Sequence, residues 1–298
     1  MLRSPMDALS CALLPAPCSL CGSPLPKLLP VPICDACWSE FPLSTGSVCF
    51  KCGDTVDALA GPKPSALCRM CRLAPPPFRR AVSFAPYTGR MKEAIHALKY
   101  DRLHRSAHGL GRMLAQAIAQ LADEAPVELL VVPIPLHKSK YAERGFNQAR
   151  SLAVHALESL AKSHPQWRLT LASSTLMRIR ATESQAGLAP RMRRINLRGA
   201  FAVSHPAAVQ KKHILLVDDI LTTGATARAA AKALHQAGAE AVWVATLARA
   251  RRVHAYDHKF LLHDDDADDR DFNPLAGAVP AAVLQTASRH SSHGQSSF

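Results

Sequence analysis

Two adjacent acids followed by a loop of small residues form the stretch of this 298-residue chain that most clearly suggests chemistry. Residues 214–217 are an apolar run that predicts a buried parallel strand, and residues 227–237 are Ala-rich and predict a helix. A strand, a short loop and a helix in that order aim backbone N–H groups and a helix N-terminus at an anion. Asp218 and Asp219 would repel that anion, so their carboxylates suit the hydroxyl groups of a sugar or a magnesium ion.

The loop carries the groups that a bound phosphate needs. Its small side chains let a phosphate approach the backbone, and its threonines add hydroxyl donors. The loop residues of these types are Thr222, Thr223, Gly224, Ala225 and Thr226. The alternative is a polar turn of an α/β domain. Two acids at the end of a buried strand disfavour that alternative, because burying them without a partner is costly.

The acids and the loop closely resemble the loop that binds phosphoribosyl pyrophosphate (PRPP) in type I phosphoribosyltransferases. That resemblance implies that Asp218 and Asp219 hold the ribose 2- and 3-hydroxyls and that residues 221–226 wrap the 5-phosphate. It also implies a magnesium ion that accompanies PRPP. The loop differs from a Walker A motif, since it lacks the Lys-Ser/Thr ending.

A basic segment follows a second predicted strand, residues 127–134, and leads into a predicted helix over residues 147–160. We expect this segment to be a polar loop. Because the carboxyl ends of parallel strands lie at one edge of a sheet, it would face the same crevice as the acidic loop. Its cations would complement a pyrophosphate, with Lys138, Lys140 and Arg144 as the candidates. The alternative is that each of them lies on a solvated basic turn.

A second Arg-dense stretch, residues 176–201, is polar and only weakly periodic. We expect it to form either a mobile flap or an anion-binding hairpin. Arg178 and Arg180 are the side chains in it that would reach the pyrophosphate of PRPP.

Eight of the nine cysteines fall into four C-x-x-C pairs. The pairs are Cys18/Cys21, Cys34/Cys37, Cys49/Cys52 and Cys68/Cys71. Four thiolates make a closed tetrahedral zinc site, so these residues predict two structural zinc ions. We expect the first two pairs to bind one ion and the last two pairs to bind the other, with interleaved pairing as the alternative. Cys11 is left over and would pack as a small apolar residue.

Size, charge and hydrophobicity limit the classes of protein that this chain can be. A length of 298 residues with 48% hydrophobic residues allows one medium domain plus a small one. The net charge of +13 suits a phosphorylated metabolite, a nucleic acid or simple solubility, whereas an aromatic content of 5% argues against a base-stacking platform. No apolar stretch reaches membrane-spanning length and no signal peptide is convincing. We therefore expect a cytoplasmic location without membrane insertion.

Several blocks of this sequence together resemble the ComF family of bacterial proteins. They are the paired C-x-x-C head, the Pro-Ile-Pro-Leu…Glu-Arg-Gly-Phe-Asn-Gln-Ala block, the Arg-Ile-Arg-Ala-Thr block and the Val-Asp-Asp-Ile-Leu-Thr-Thr-Gly-Ala-Thr loop. The resemblance covers roughly residues 15–250. It implies a zinc-ribbon head on a type I phosphoribosyltransferase domain. It also implies, for some members, a role in natural competence, the uptake of transforming DNA, and for others a link to gluconate use.

The expected fold is α/β, a type I phosphoribosyltransferase-like parallel sheet with flanking helices, preceded by a small four-cysteine zinc-ribbon domain. We expect an N-terminal extension over residues 1–17, a double zinc ribbon over 18–74, the phosphoribosyltransferase-like domain over 79–252 and a disordered acidic tail over 253–298. The proline-rich segment between the ribbon and the sheet domain would be a stiff linker.

Two functional hypotheses follow. In the first, the protein is a phosphoribosyltransferase that uses Asp218 and Asp219 to fix the ribose of Mg·PRPP and to steady an oxocarbenium-like centre at its C1. In the second, the basic crevice and the cysteine head hold single-stranded DNA or a partner, such as another competence protein, and the loop senses PRPP without catalysis. The sequence names no acceptor for the transferred group.

Overall fold

The structure of this protein is a computed structural model that describes residues 17–18, 21–25, 33–39, 41, 47–56, 66–100, 106–180 and 199–251. Several expectations concern other residues and lie outside this part of the chain: the N-terminal extension, the packing of Cys11, the tip of the Arg-dense stretch and the acidic tail. Within the described part, no helix combines the length and the apolar character that crossing a membrane requires.

A five-stranded parallel sheet lies at the centre of the described residues. The strands, in chain order, are β1 (Ala81–Pro86), β2 (Glu128–Pro133), β3 (Arg168–Leu171), β4 (Leu176–Arg178), β5 (Phe201–Val203), β6 (His213–Leu221) and β7 (Ala241–Arg249). The order in the sheet is β1-β7-β6-β2-β3, and β4 and β5 form a separate antiparallel pair. The near-continuous apolar sequences of β6 and β7 fit strands that are covered on both faces. The predicted α/β parallel-sheet fold is confirmed.

Helices cover both faces of the sheet. In chain order they are α1 (Asp35–Ser39), α2 (Arg69–Leu73), α3 (Gly89–Tyr100), α4 (Ser106–Ala119), α5 (Lys138–Arg144), α6 (Gln148–Ser163), α7 (Pro206–Val209) and α8 (Ala225–Gln236). Leu215 and Val217 of β6 pack with α3, α4 and α6, whereas Ile214 and Leu216 pack with α8. This alternation of side chains gives each face of the sheet its own core.

Two local predictions were wrong. The basic segment over residues 138–144 is α5 rather than a loop. The side chain of His137 caps the start of α5 by accepting a hydrogen bond from the Ser139 N–H, and Gly145 ends it in the left-handed conformation. The other error concerns β6, which does not end before the acids but continues to Leu221, because it stays paired with β7 up to that residue.

The Arg-dense stretch begins and ends in paired strands. Leu176 on β4 lies opposite Val203 on β5, and Arg178 lies opposite Phe201. Antiparallel pairing of these two short strands agrees with the expected hairpin.

The cysteine-containing segment packs directly against the sheet domain. Trp38 and Phe41, whose ring centroids are 5.5 Å apart, join the core on the side of α4. Gly109 on α4 permits this approach, because a Cβ at that position would lie 2.3 Å from the Trp38 ring. A second attachment runs through the backbone, where the Ala81 N–H donates to the Lys51 carbonyl at 2.9 Å. The predicted domain boundary near residue 74 therefore divides two segments that pack against each other.

Candidate functional site

Asp218 lines a small pocket at the carboxyl end of the sheet, where β6 leads into α8. The other residues that line the pocket are Ile134, Leu216, Ile220, Leu221, Thr222, Gly224, Ala225, Thr226, Ala227, Val244 and Thr246. Five of the six candidate phosphate-binding residues are in that set, and Thr223 lies between two of them in the chain. The structure thus brings one predicted acid and the predicted phosphate loop to the same concave surface.

The loop turns at Gly224, the residue that immediately precedes α8. Its φ of +75° lies in the left-handed region, where any other residue except asparagine or aspartate would be strained. The Thr223 hydroxyl accepts a hydrogen bond from the Ala225 N–H at 3.4 Å. The first-turn N–H groups of a helix have no acceptor within the helix, so those of α8 are suited to an anion. The turn can therefore hold a phosphate.

Asp219 is not among the residues that line the Asp218 pocket, and its carboxylate contacts α3 instead. It is 5% exposed, and its Oδ2 lies 2.8 Å from the Nζ of Lys99 near the end of α3. Burial alone would raise the pKa of Asp219, but the Lys99 ammonium together with hydrogen bonds to the carboxylate lowers that pKa below its usual value. Burial would likewise lower the pKa of Lys99, yet Asp219 raises it. At neutral pH the two groups form a buried ion pair.

Lys99 is a functional candidate that sequence reasoning missed. It lies four residues after Ile95 and eight after Met91, two residues of α3 that are fully buried. Residues at this spacing share one face of a helix. A lysine at an apolar helical position was the signal that could have identified it.

Asp218 is half-buried, and its environment disfavours the charged form. Burial raises the pKa of Asp218 well above its usual value, and the neighbouring Asp219 adds to the rise. Its Oδ1 accepts a hydrogen bond from the Asp219 N–H at 2.9 Å. Burial lowers the pKa of Arg178 on β4, and the Asp218 carboxylate opposes that shift. Hydrogen bonds donated by a ligand would stabilise the charged form of a carboxylate in this environment.

The candidate cations lie at this edge of the sheet but outside the set of residues that line the Asp218 pocket. They are Lys138, Lys140 and Arg144 on α5, Arg178 on β4 and Arg180 just beyond β4. α5 is brought to this edge by the pairing of β2 with β6, which extends to the Ile134 N–H donating to the Val217 carbonyl at 2.8 Å. Lys138 and Arg180 are exposed, and the other three are half-buried.

All eight paired cysteines gather into two four-thiol clusters. The first cluster is Cys18, Cys21, Cys34 and Cys37, and the second cluster is Cys49, Cys52, Cys68 and Cys71. The Sγ–Sγ distances are 3.9 Å for Cys18–Cys37, 3.7 Å for Cys21–Cys34 and 3.7 Å for Cys52–Cys68. Zinc–sulfur bonds of about 2.3 Å in a tetrahedron place the sulfurs about 3.8 Å apart, so both clusters fit zinc. The structure confirms sequential grouping and excludes interleaved grouping.

Each cluster fits a structural metal site. Four thiolates complete a tetrahedron and leave no open position for a substrate or water. All four members of the second cluster are buried, whereas Cys21 of the first cluster is exposed. An ion in either cluster would stabilise the local fold rather than take part in catalysis.

Purified full-length protein should contain about two zinc ions per chain, because each cluster supplies a complete set of ligands. Atomic emission, normalised to protein concentration, measures this directly. Cys52→Ser should lower the content to about one ion, while Cys11→Ser, which changes the cysteine outside the four pairs, should leave it at about two. One ion or none in wild-type protein prepared without chelator would contradict the assignment of two sites.

Comparison with known proteins agrees with this geometry. A sequence profile described as "Phosphoribosyl transferase domain" matches residues 138–268, which include the loop and α8. The chain is 35% identical over 237 residues to "DNA utilization protein YhgH" of Salmonella typhi, covering 79% of this chain and 97% of that protein.

Two further relatives carry names that refer to competence. "Competence protein F" of Haemophilus influenzae is 26% identical over 226 residues, covering 73% of this chain and 90% of that protein. "Competence protein ComFC" of Bacillus subtilis is 27% identical over 214 residues, covering 69% of this chain and 79% of that protein. On the strength of the Salmonella relative, which is matched along nearly its whole length, the chain belongs to the ComF family.

Proposed function

We propose that this protein is a phosphoribosyltransferase that binds Mg·PRPP at the carboxyl end of β6 and serves DNA uptake. The observation that carries the proposal is the pocket in which the Asp218 carboxylate faces the loop over residues 221–226. A carboxylate beside a helix N-terminal anion site matches a ligand with hydroxyl groups next to a phosphate. The relatives named for DNA utilization and competence support the biological setting.

In this proposal the two acids have different tasks. Asp218, on the pocket wall, accepts hydrogen bonds from the ribose hydroxyls. Asp219 is kept ionised by Lys99, and its negative charge acts through space on the positive charge that develops at C1 of the ribose. The 5-phosphate is bound by Leu221, Thr222, Thr223, Gly224, Ala225 and Thr226.

The leaving pyrophosphate requires positive charge at the same edge of the sheet. Lys138, Lys140 and Arg144 on α5 would supply it from one side, and Arg178 with Arg180 from the hairpin side. Arginine suits this task because its planar fork can bind two phosphate oxygens at once. The magnesium ion that accompanies PRPP neutralises further charge on the pyrophosphate oxygens.

A pyrophosphate-release assay tests the enzymatic part of this proposal. Wild-type protein is incubated with Mg·PRPP and a panel of nucleobases and small amines, and pyrophosphate is measured against a reaction without acceptor. We expect at least one acceptor to accelerate release. Unchanged release across the panel, with no detectable binding of Mg·PRPP, would contradict the proposal.

A second candidate function is binding of single-stranded DNA, which the exposed surface of α5 favours. Lys138 is exposed, Lys140 is half-buried, and Tyr141, the next residue of α5, is 52% exposed. Cations next to an exposed aromatic ring are the elements of a site for backbone phosphates and stacked bases. The net charge of +13 favours the same partner.

Single-stranded DNA binding should weaken steeply with salt, because each neutralised phosphate releases counterions. Replacing both Lys138 and Lys140 by glutamine should reduce the slope of log affinity against log salt by about 1.4, and Asp218→Asn should leave it unchanged. Lys162→Gln, at the far end of α6, is the matched control. Fluorescence anisotropy with a labelled oligonucleotide measures the slope. Equal slopes for the wild type and the double variant would exclude α5 as the DNA site.

A further inference from the structure

We infer that Arg249 is a positioning residue that fixes the phosphate-binding loop to the second cysteine cluster, so that the integrity of this cluster sets the conformation of the loop. The contacts of Arg249 connect the cluster to the loop whether or not a ligand is bound. Its consequence for ligand affinity rests on the proposed function.

Arg249 is the last residue of β7 and is only 5% exposed, so its cation must be satisfied by protein groups. On one side it contacts the second cluster. Its Nε donates to the Cys52 carbonyl at 2.9 Å, and its Nη2 lies 3.0 Å from Oδ2 of Asp54, a residue that is 2% exposed. The charge of Arg249 is therefore balanced by a carboxylate two residues beyond a cluster cysteine.

On its other side Arg249 contacts the start of the phosphate-binding loop. Its Nη1 donates to the Leu221 carbonyl at 2.8 Å and to the Thr222 carbonyl at 2.5 Å. The Ala250 N–H also donates to the Leu221 carbonyl, at 3.1 Å. These bonds fix the direction in which the chain leaves β6, immediately before the turn at Gly224.

The cluster in turn fixes the position of Asp54. The Gly53 N–H donates to the Cys49 carbonyl at 2.8 Å, and the Cys49 N–H donates to the Asp54 carbonyl at 2.7 Å. This tight turn holds two of the four thiols, so a change in the cluster displaces Asp54 and the Cys52 carbonyl together. Arg249 would then lose its partners on the cluster side while it remains buried, and the loop would lose its support.

The first cluster provides the contrast. It is attached to the sheet domain through Trp38, which follows Cys37 in the chain and lies beside Gly109 on α4. That attachment is on the side of α3, α4 and α6, whereas the loop leads into α8 on the other face. Disturbing the first cluster should therefore loosen its own surroundings and not the loop.

Hydrogen–deuterium exchange on the full-length protein tests the link without any ligand. Asp54→Asn removes the charge that faces Arg249, and Arg249→Lys replaces the fork by a single nitrogen that cannot reach both sides. In both variants we expect amides in residues 221–226 to exchange about 10-fold faster, with α6 as protected as in the wild type. Asp35→Asn, at an exposed position of α1 beside the first cluster, is the matched control.

Cys21→Ser disturbs the first cluster alone. It should speed exchange over residues 33–39 and leave residues 221–226 unchanged. The inference is overturned if both Asp54→Asn and Arg249→Lys leave exchange of the loop at the wild-type rate, or if Cys21→Ser accelerates the loop as much as they do.

Titration with Mg·PRPP separates this inference from the proposed function. If the wild type binds, Asp54→Asn and Arg249→Lys should weaken binding about 10-fold, and equal affinity would contradict a role of Arg249 at the ligand site. If the wild type does not bind, the proposed function fails, while the exchange measurement still decides whether Arg249 links the cluster to the loop.

Discussion

Replacing Asp218 by asparagine is expected to weaken the binding of Mg·PRPP about 100-fold while the protein stays folded. The carboxylate lines the pocket beside the phosphate loop, where it can accept two hydrogen bonds from sugar hydroxyls. Hydrogen bonds to a charged group contribute about 1.5–3 kcal/mol each, and asparagine can accept only through one oxygen. Losing one hydrogen bond from a sugar hydroxyl together with the negative charge of Asp218 accounts for a change in affinity of about 100-fold.

The fold should tolerate this substitution, because Asp218 does not gain stability from its charge. Burial raises its pKa, so keeping the carboxyl ionised costs folding stability, and this cost disappears as the pH falls toward the unfolded-state pKa. Asparagine removes that cost. Isothermal titration calorimetry measures the affinity, and Asp123→Asn, in an exposed turn after α4, is the matched control. A twofold change or less in Asp218→Asn would remove this residue from the site.

Replacing Lys99 by methionine is expected to lower the free energy of unfolding by about 3 kcal/mol, because it leaves the Asp219 carboxylate buried without its counter-ion. The side chains of Lys99 and Asp219 are 19% and 6% exposed, so water can solvate neither group well. The double variant Lys99→Met/Asp219→Asn should recover part of the loss, since it removes both charges. Urea denaturation of the two single variants and the double variant measures the coupling. Simple additivity of the single losses would show that the two groups do not interact.

The same ion pair predicts a pH dependence. Asp219 has a lowered pKa, so its contribution is present above the unfolded-state value of about 3.9 and is lost as the pH falls through the folded-state pKa. Lys99 has a raised pKa, so its contribution is complete below about 10.4 and is lost as the pH rises through the folded-state pKa. The contribution of the pair to wild-type stability should therefore be flat from about pH 5 to 9. In Lys99→Met, burial without the ammonium raises the Asp219 pKa, so the stability difference from the wild type should shrink as the pH falls and Asp219 takes up a proton. A difference that grows as the pH falls would contradict the ion pair.

Local patterns in the sequence were sufficient to predict the central parts of the site. The apolar run before Asp218, the small residues of the loop and the Ala-rich helix after it each depend on neighbours in the chain. The cysteines were predictable for a related reason, because four C-x-x-C pairs leave few ways to fill tetrahedral sites.

The residues that the sequence did not reveal act across the chain. Arg249 contacts Cys52, 197 positions away, and Lys99 on α3 contacts Asp219 on β6. No local periodicity encodes such partners. The different surroundings of the two acids, Asp218 at the pocket and Asp219 against Lys99, likewise depend on contacts between elements that are distant in the chain. The sequence did not predict α5, because a histidine such as His137 is a weak signal for the start of a helix.

The most direct test of the central claim is a crystal structure of the full-length protein with saturating Mg·PRPP. We expect the 5-phosphate within about 3 Å of the amides and hydroxyls of residues 222–226, with a ribose hydroxyl at the same distance from the Asp218 carboxylate. A pocket that stays empty at saturating ligand, or PRPP bound away from the carboxyl end of β6, would contradict it.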